Sequence, residues 1–298
     1  MVFARWLRRS LCLVALGGPI ALSAQVQPQT LIGILEDNPG QSEGESHYRS
    51  VRVVFRRDRT GWTNCLDQRC VDGGGQVDAP ITWIVAFDGK LLARIASRSP
   101  SAPRELLSAA QQQEIIGDAA PTVGKPSTEF AGFLFEAVHR PLVAVSAPNY
   151  RDPDSWKPGR LRSDAALAVR AAFRKRFPKV ENCTSADQGP KPWSYLDTNI
   201  KLNKAYSSKG GWLIAEVVLR GSKCDGPPDE PFWSHWFVVT PERQIRFLDS
   251  NMLLVDAGDY DNDGRSELVF SINGYNRGGY KLFYDDFRRK AVFEFSYH

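Results

Sequence analysis

Most of the chain has an apolar period of two. In "RSVRVVFRR", Val51, Val53 and Phe55 alternate with arginines, which predicts a half-buried strand. "TLIGILE" before it and "RPLVAVSAP" after it predict two more short strands, the second broken by Pro148. In "ITWIVAFDGKLLARIASR" two apolar runs flank Asp88-Gly89, a pair suited to a tight hairpin turn. Beyond Pro192 the signal becomes dense. "NIKLNKAYSS", "GGWLIAEVVLRG", "HWFVVTPE" and "RQIRFLDS" predict four strands with short turns, and "MLLVDAGDYD", "SELVFSINGY", "GGYKLFYDDF" and "KAVFEFSYH" predict four more.

One segment changes period. In "SDAALAVRAAFRKRF", residues 163–177, Ala166, Val169, Phe173 and Phe177 share one face at helical spacing. Ser163 is placed to cap this helix and Asp164 suits its positive end. Arg174, Lys175 and Arg176 crowd the last turn, and Pro178 stops it. A second, short helix is expected near "APRELLSAAQQQEII".

The expected fold is therefore mainly β, with one principal α-helix at about 163–177. The two four-strand sets start about fifty residues apart, near the period of a propeller blade, so antiparallel propeller-like blades are expected, with a β-sandwich as the alternative. The divisions are an N-terminal β region (25–150), a helical segment and linker (151–192) and a C-terminal β region (193–298).

Composition adds an address. Residues 1–24 combine Arg5, Arg8 and Arg9 with a short apolar run and small residues ending near Ala24. That is the three-part pattern of a secretory signal peptide, and it implies export to the periplasm or the extracellular space. Without those residues 35 basic side chains face 34 acidic ones. Net charge then gives no support for a nucleic-acid partner. No other apolar run is long enough to span a membrane. Cys65, Cys70, Cys183 and Cys224 remain, an even number suited to disulfides in an exported chain. Of three possible connectivities, Cys65–Cys70 with Cys183–Cys224 is favoured; buried free thiols are the alternative.

The chemistry concentrates in "DAGDYDNDGRSELVF". Asp259, Asp261 and Asp263 hold positions 1, 3 and 5 of a D-x-D-x-D-G pattern, and Gly264 stands where a sharp turn is needed. Alternate aspartates on a curled backbone can face one centre. Oxygen ligands suit a hard cation such as Ca2+, and the Arg265 carbonyl can add another. An EF-hand would need Glu at position 12, which is Phe270; here the closing acid is Glu267, followed by a strand.

This arrangement resembles the D-x-D-x-D-G-x-x-[DE]-L loop of FG-GAP and VCBS-type repeats, the integrin-alpha-like propeller repeats, over about residues 252–275 and in a single copy. The resemblance implies a calcium loop joining two antiparallel strands. Its side-chain ligands would be Asp259, Asp261, Asp263 and Glu267, with Arg265 as the carbonyl ligand.

Catalytic signals are thin. The sequence has no G-x-S-x-G, H-E-x-x-H or phosphate-loop motif. His47, His139, His235 and His298 are scattered, and Asp285-Asp286 reads as a turn. Trp193, Tyr195, Phe232, Trp233, Trp236 and Phe237 could stack on a glycan or protein partner, but a strand apolar on both sides, as "HWFVV" is, points to burial. The basic helix end, with Arg170, Arg174, Lys175, Arg176 and Lys179, reads as a solvated face. The function expected is an exported, calcium-stabilised β module that binds a protein or glycan partner; the alternative is a secreted, glycan-active hydrolase with a structural calcium.

Overall fold

The computed structural model describes residues 30–38, 48–66, 70, 80–100, 112–117, 120–131, 136–182, 191–221, 234–274 and 277–296. The signal-peptide segment, Cys183, Cys224, Phe232 and Trp233 lie outside the described residues.

The first half builds a closed barrel. Its strands are β1 (Leu31–Asn38), β2 (Tyr48–Arg57), β4 (Ile81–Phe87), β5 (Lys90–Arg98), β6 (Gln112–Ile116) and β7 (Leu142–Val145), and β3 (Trp62–Asn64) extends the β2 edge. The order β1-β7-β4-β5-β6-β2 closes because β2 also pairs with β1, and every pairing is antiparallel. Strand β6 corrects the expectation of a short helix at its place: Gln112–Ile116 fills the gap between β5 and β2, and ladder bonds from both sides outweigh local helix preference. The remainder of that expected helix, residues 102–111, lies outside the described residues.

Leu35, Val51, Val53, Trp83, Val85 and Ala144 fill the barrel. The Trp83 indole donates to Ser97 Oγ at 2.7 Å, and Ser97 donates to Gln113 Oε1 at 2.7 Å, so the buried polar atoms are paired. Gly33 makes room for Val51 and this indole, because a Cβ there would stand 2.5 Å from Val51 Cγ1 and 3.3 Å from the Trp83 ring. The expected face of Val51, Val53 and Phe55 is broken by a bulge. Ile32 pairs with Phe55 and Gly33 with Val53, leaving Val54 as the extra residue. Phe55 therefore turns to the outer wall while Val51 and Val53 point inward.

The second half forms two more sheets. Strands β8 (Lys157–Pro158), β11 (Ile200–Ser207), β12 (Leu213–Leu219), β13 (Ser234–Val239) and β14 (Ile245–Ser250) form one, in the order β14-β13-β12-β11-β8. A small pair, β9 (Val180–Asn182) with β10 (Lys191–Trp193), stands apart. Strands β15 (Met252–Gly258), β16 (Glu267–Gly274), β17 (Arg277–Tyr284) and β18 (Arg289–Ser296) form a four-stranded meander. Both expected four-strand sets are thus present as separate sheets.

The meander is the middle layer. Val255, Val269, Leu282 and Phe293 pack on the barrel's outer wall of Ile32, Ile34, Val143 and Val145. Its opposite face, with Leu254, Leu268, Phe270 and Phe283, packs on Ile214, Trp236 and Val238 of the five-stranded sheet. The far side of that sheet is covered by α1 (Ser163–Arg176) through Val169 and Phe173. Strand β13 is buried along its whole length, with Trp236 and Val238 facing the meander and Phe237 and Val239 the helix. The architecture is mainly β and antiparallel. No ring of blades is formed among the described residues, since the position beside the meander that a third blade would take holds the barrel.

The helix departs from expectation at its start. Arg162 is the N-cap and gives no side-chain cap bond, so Ser163 is the first helical residue and not the cap. Its basic face is partly used internally: Arg170 donates to the Ile200 carbonyl at 2.8 Å, and Arg174 pairs with Asp197. Among the described residues no helix is long and apolar enough to cross a membrane. Cys65 and Cys70 form the expected disulfide, with Cα atoms 5.3 Å apart.

Candidate metal centre

Residues 259–266 connect β15 to β16 at the junction of barrel and meander. The backbone curls around Asp259. Its Oδ1 accepts the Asp263 N–H at 2.9 Å and its Oδ2 the Gly264 N–H at 2.9 Å. The curl takes two residues through positive φ, Asn262 at 61° and Gly264 at 90°. Glycine adopts this conformation without the penalty other residues carry.

This curl brings three of the expected ligands together. Oxygens of Asp259, Asp261 and Glu267 all lie within 4.8 Å of one another. Calcium–oxygen distances of about 2.3–2.6 Å let opposed ligands stand roughly 5 Å apart, so one ion fits among them. Asp259 is fully buried and Glu267 only 2% exposed. The Tyr260 N–H donates to Glu267 Oε2 at 2.8 Å. Burial pushes the Glu267 carboxyl well above its ordinary range, and the charge of Asp261 adds to it. Burial likewise raises Asp259.

Another expected ligand is placed differently. Asp263 is held by Arg265, whose backbone N–H reaches Oδ1 at 2.9 Å and whose Nη2 reaches Oδ2 at 2.9 Å. Its carboxylate stands outside the close triplet. The Arg265 side chain also pairs with Asp285 at 2.7 Å.

Two guanidinium groups face the triplet. Arg57 Nε, on β2, donates to Asp261 Oδ2 at 2.5 Å, and Arg151 Nε donates to Asp259 Oδ2 at 3.2 Å. Arg151 also accepts the Asp259 N–H on its carbonyl at 3.2 Å. Neither arginine was legible as part of the site, because Arg57 is 204 residues from Asp261 in sequence and Arg151 is 108 from Asp259. A pocket of about 240 Å³ opens beside the triplet, with Asp261, Glu267, Arg57, Arg59, Thr60 and Arg289 among its lining residues. His47 and His298 lie outside the described residues, Asp285 borders this pocket, and His139 and His235 lie elsewhere. His235 is buried with Nδ1 at 2.7 Å from Ser250 Oγ, and burial lowers it to about 4. Trp193 and Tyr195 pack beside the helix.

Comparison with protein-family models, curated proteins and solved structures finds no match for this chain.

Proposed function

We propose that the β15–β16 loop is a calcium site of the FG-GAP/VCBS-like kind, and that the chain is an exported β module for binding a protein or glycan partner. The observation that carries the calcium reading is the triplet of Asp259, Asp261 and Glu267 oxygens within 4.8 Å, two of its members buried. Carboxylates this close and this dry need a counter-charge, and an all-oxygen cage supplied by the protein suits calcium better than magnesium. The ion would be held by those three carboxylates and would fix the hairpin against the barrel; the role is structural. The buried disulfide Cys65–Cys70 is in keeping with an oxidising compartment.

Titration calorimetry of chelator-stripped protein with calcium tests the site. One calcium per chain, with weaker heat from magnesium and none in Asp261→Asn, is expected. Absence of calcium heat in the wild type would sink the reading.

A further inference from the structure

A second site lies away from the acidic loop, where barrel, meander and five-stranded sheet meet. It is a cleft of about 180 Å³ along the free edge of β15, and it shares no lining residue with the pocket beside the triplet. Phe87 closes it from the barrel, Tyr206 and Ile214 from the five-stranded sheet, and Trp156 and Asp256 complete it.

Two of these side chains are nine-tenths buried and carry a polar atom with no partner. Asp256 is 6% exposed; its Oδ1 accepts the Asp88 N–H at 3.1 Å, while Oδ2 is buried and unpaired. Trp156 is 5% exposed, and its indole nitrogen is buried and unpaired. Leaving such a group unmet carries the cost of its desolvation with nothing to offset it. Arg140 does not meet either need. Its Nε and Nη2 are committed to the carbonyls of Leu254 and Val255, at 2.6–3.3 Å, and its guanidinium stacks over Phe87 at 5.2 Å. It is a fixed wall.

The two orphaned atoms specify a ligand chemistry. An indole N–H only donates, whereas a carboxylate only accepts. A carboxylate ligand would satisfy Trp156 and be repelled by Asp256 wherever that group is ionised. An ammonium would satisfy Asp256 and leave Trp156 unmet. Hydroxyl groups both donate and accept, so a molecule that carries several can serve both. Burial pushes the Asp256 carboxyl up to about 7, so near neutral pH it offers either role to a hydroxyl. Phe87, Trp156 and Tyr206 supply aromatic surface for an apolar ring body. The volume equals about six waters at roughly 30 Å³ each, or one sugar-sized ring, and is below the range of about 300–1,000 Å³ typical of drug-sized ligands.

We propose that this cleft binds a single polyhydroxylated ring, a monosaccharide or the terminal residue of a glycan, anchored by Asp256 and Trp156. The inference names a ligand class for the binding role above, and the site stands whether or not the loop holds calcium.

Saturation-transfer NMR on the full chain tests it, with D-glucose, D-galactose and N-acetyl-D-glucosamine at millimolar concentration as probes. Benzoate and cyclohexylamine serve as ring-sized anionic and cationic controls. At least one hexose is expected to receive saturation, and the two controls none. Pro158→Trp, at the exposed mouth, and Asp256→Ala, at the anchor, should each weaken binding about tenfold or more. Where Asp256→Ala does not fold, Pro158→Trp alone decides. Silence from every hexose, a stronger signal from either control, or hexose binding unchanged by the variants overturns the proposal. Calcium-loaded and chelator-treated samples are both titrated; a hexose signal in either supports the cleft, so failure of the calcium reading leaves this result interpretable.

Discussion

Withholding calcium is the most direct test of the site proposed in the acidic loop, and the size of its effect follows from the geometry. Carboxylate oxygens within 4.8 Å repel by roughly 1 kcal/mol per pair in watery surroundings and by about 3 kcal/mol at the effective dielectric of a protein surface. Arg57 and Arg151 offset part of this, but both lie at the edge of the cluster, with Arg151 60% exposed. A cation bound to the native state and not to the unfolded chain stabilises by about 2.7 kcal/mol at a hundredfold excess over Kd. For a chain of this size that is a rise in Tm of roughly 5–10 °C. The assay is thermal melting with calcium and with chelator. Asp261→Ala should abolish the calcium-dependent rise, because it removes one of the three clustered carboxylates. Asp285→Ala should leave it intact, because Asp285 touches the loop only through the Arg265 side chain. An unchanged Tm in the wild type would refute the reasoning, as would a full shift in Asp261→Ala.

Three further outcomes follow from other parts of the fold. Asp256 has its carboxyl raised to about 7 from 3.8, with burial as the main cause, Asp152 adding, and Arg140 and the N–H groups of Asp88 and Ala257 opposing. The native state therefore holds this proton more tightly than the unfolded chain does, so stability falls as pH rises from about 4 to about 7, by up to roughly 4 kcal/mol from this group; Asp256→Asn should flatten that part of the wild-type profile in urea melts across pH. Phe173→Ala empties the helix–sheet core, where Phe173 meets Tyr195 at 5.7 Å and Phe237 at 6.3 Å, and should cost about 3–5 kcal/mol in urea unfolding. At Gly279 a Cβ would stand 2.0 Å from the Phe293 carbonyl oxygen of the neighbouring strand. Gly279→Ala should therefore melt well below the wild type, by circular dichroism, and a wild-type Tm would refute the close approach.

What could be read in advance was local. The hairpin at Asp88-Gly89, the helix through Phe173 and both C-terminal meanders each carry their signal within a few consecutive residues, and each formed. Barrel closure was hidden because it depends on β1 meeting β2 on one side and β7 on the other. The bulge at Val54 was hidden for the same reason: the strand's own alternation runs on to Phe55, and only the register against Ile32 and Gly33 breaks it. In the loop, Asp259, Asp261 and Glu267 were legible from spacing alone. Asp263 fits the same spacing, yet its carboxylate closes on Arg265 two residues on. Asp256 was passed over because an acid at the end of an apolar run looks like a strand terminus; its burial comes from the barrel turn packed against it.

The position of the acidic loop explains why its charge is crowded where it is. A hairpin loop projecting into water would gain little from three carboxylates, since exposed charges are screened and move apart. This loop is clamped instead. Asp259 bridges to Arg151, the Asn262 amide donates to the Asn149 carbonyl at 3.3 Å, and Arg57 reaches Asp261 from the barrel. The clamp holds carboxylates at the seam between barrel and meander, where burial of Asp259 and Glu267 opposes ionisation. Two guanidiniums can neutralise two carboxylates, and the third, Glu267, keeps only the Tyr260 N–H. One divalent charge set among all three is the simplest way to ionise every member at once, and it would draw on residues that belong to the meander alone. Arg57 of the barrel would then be left facing the pocket beside the site, so that filling the loop also changes the charge presented at the seam.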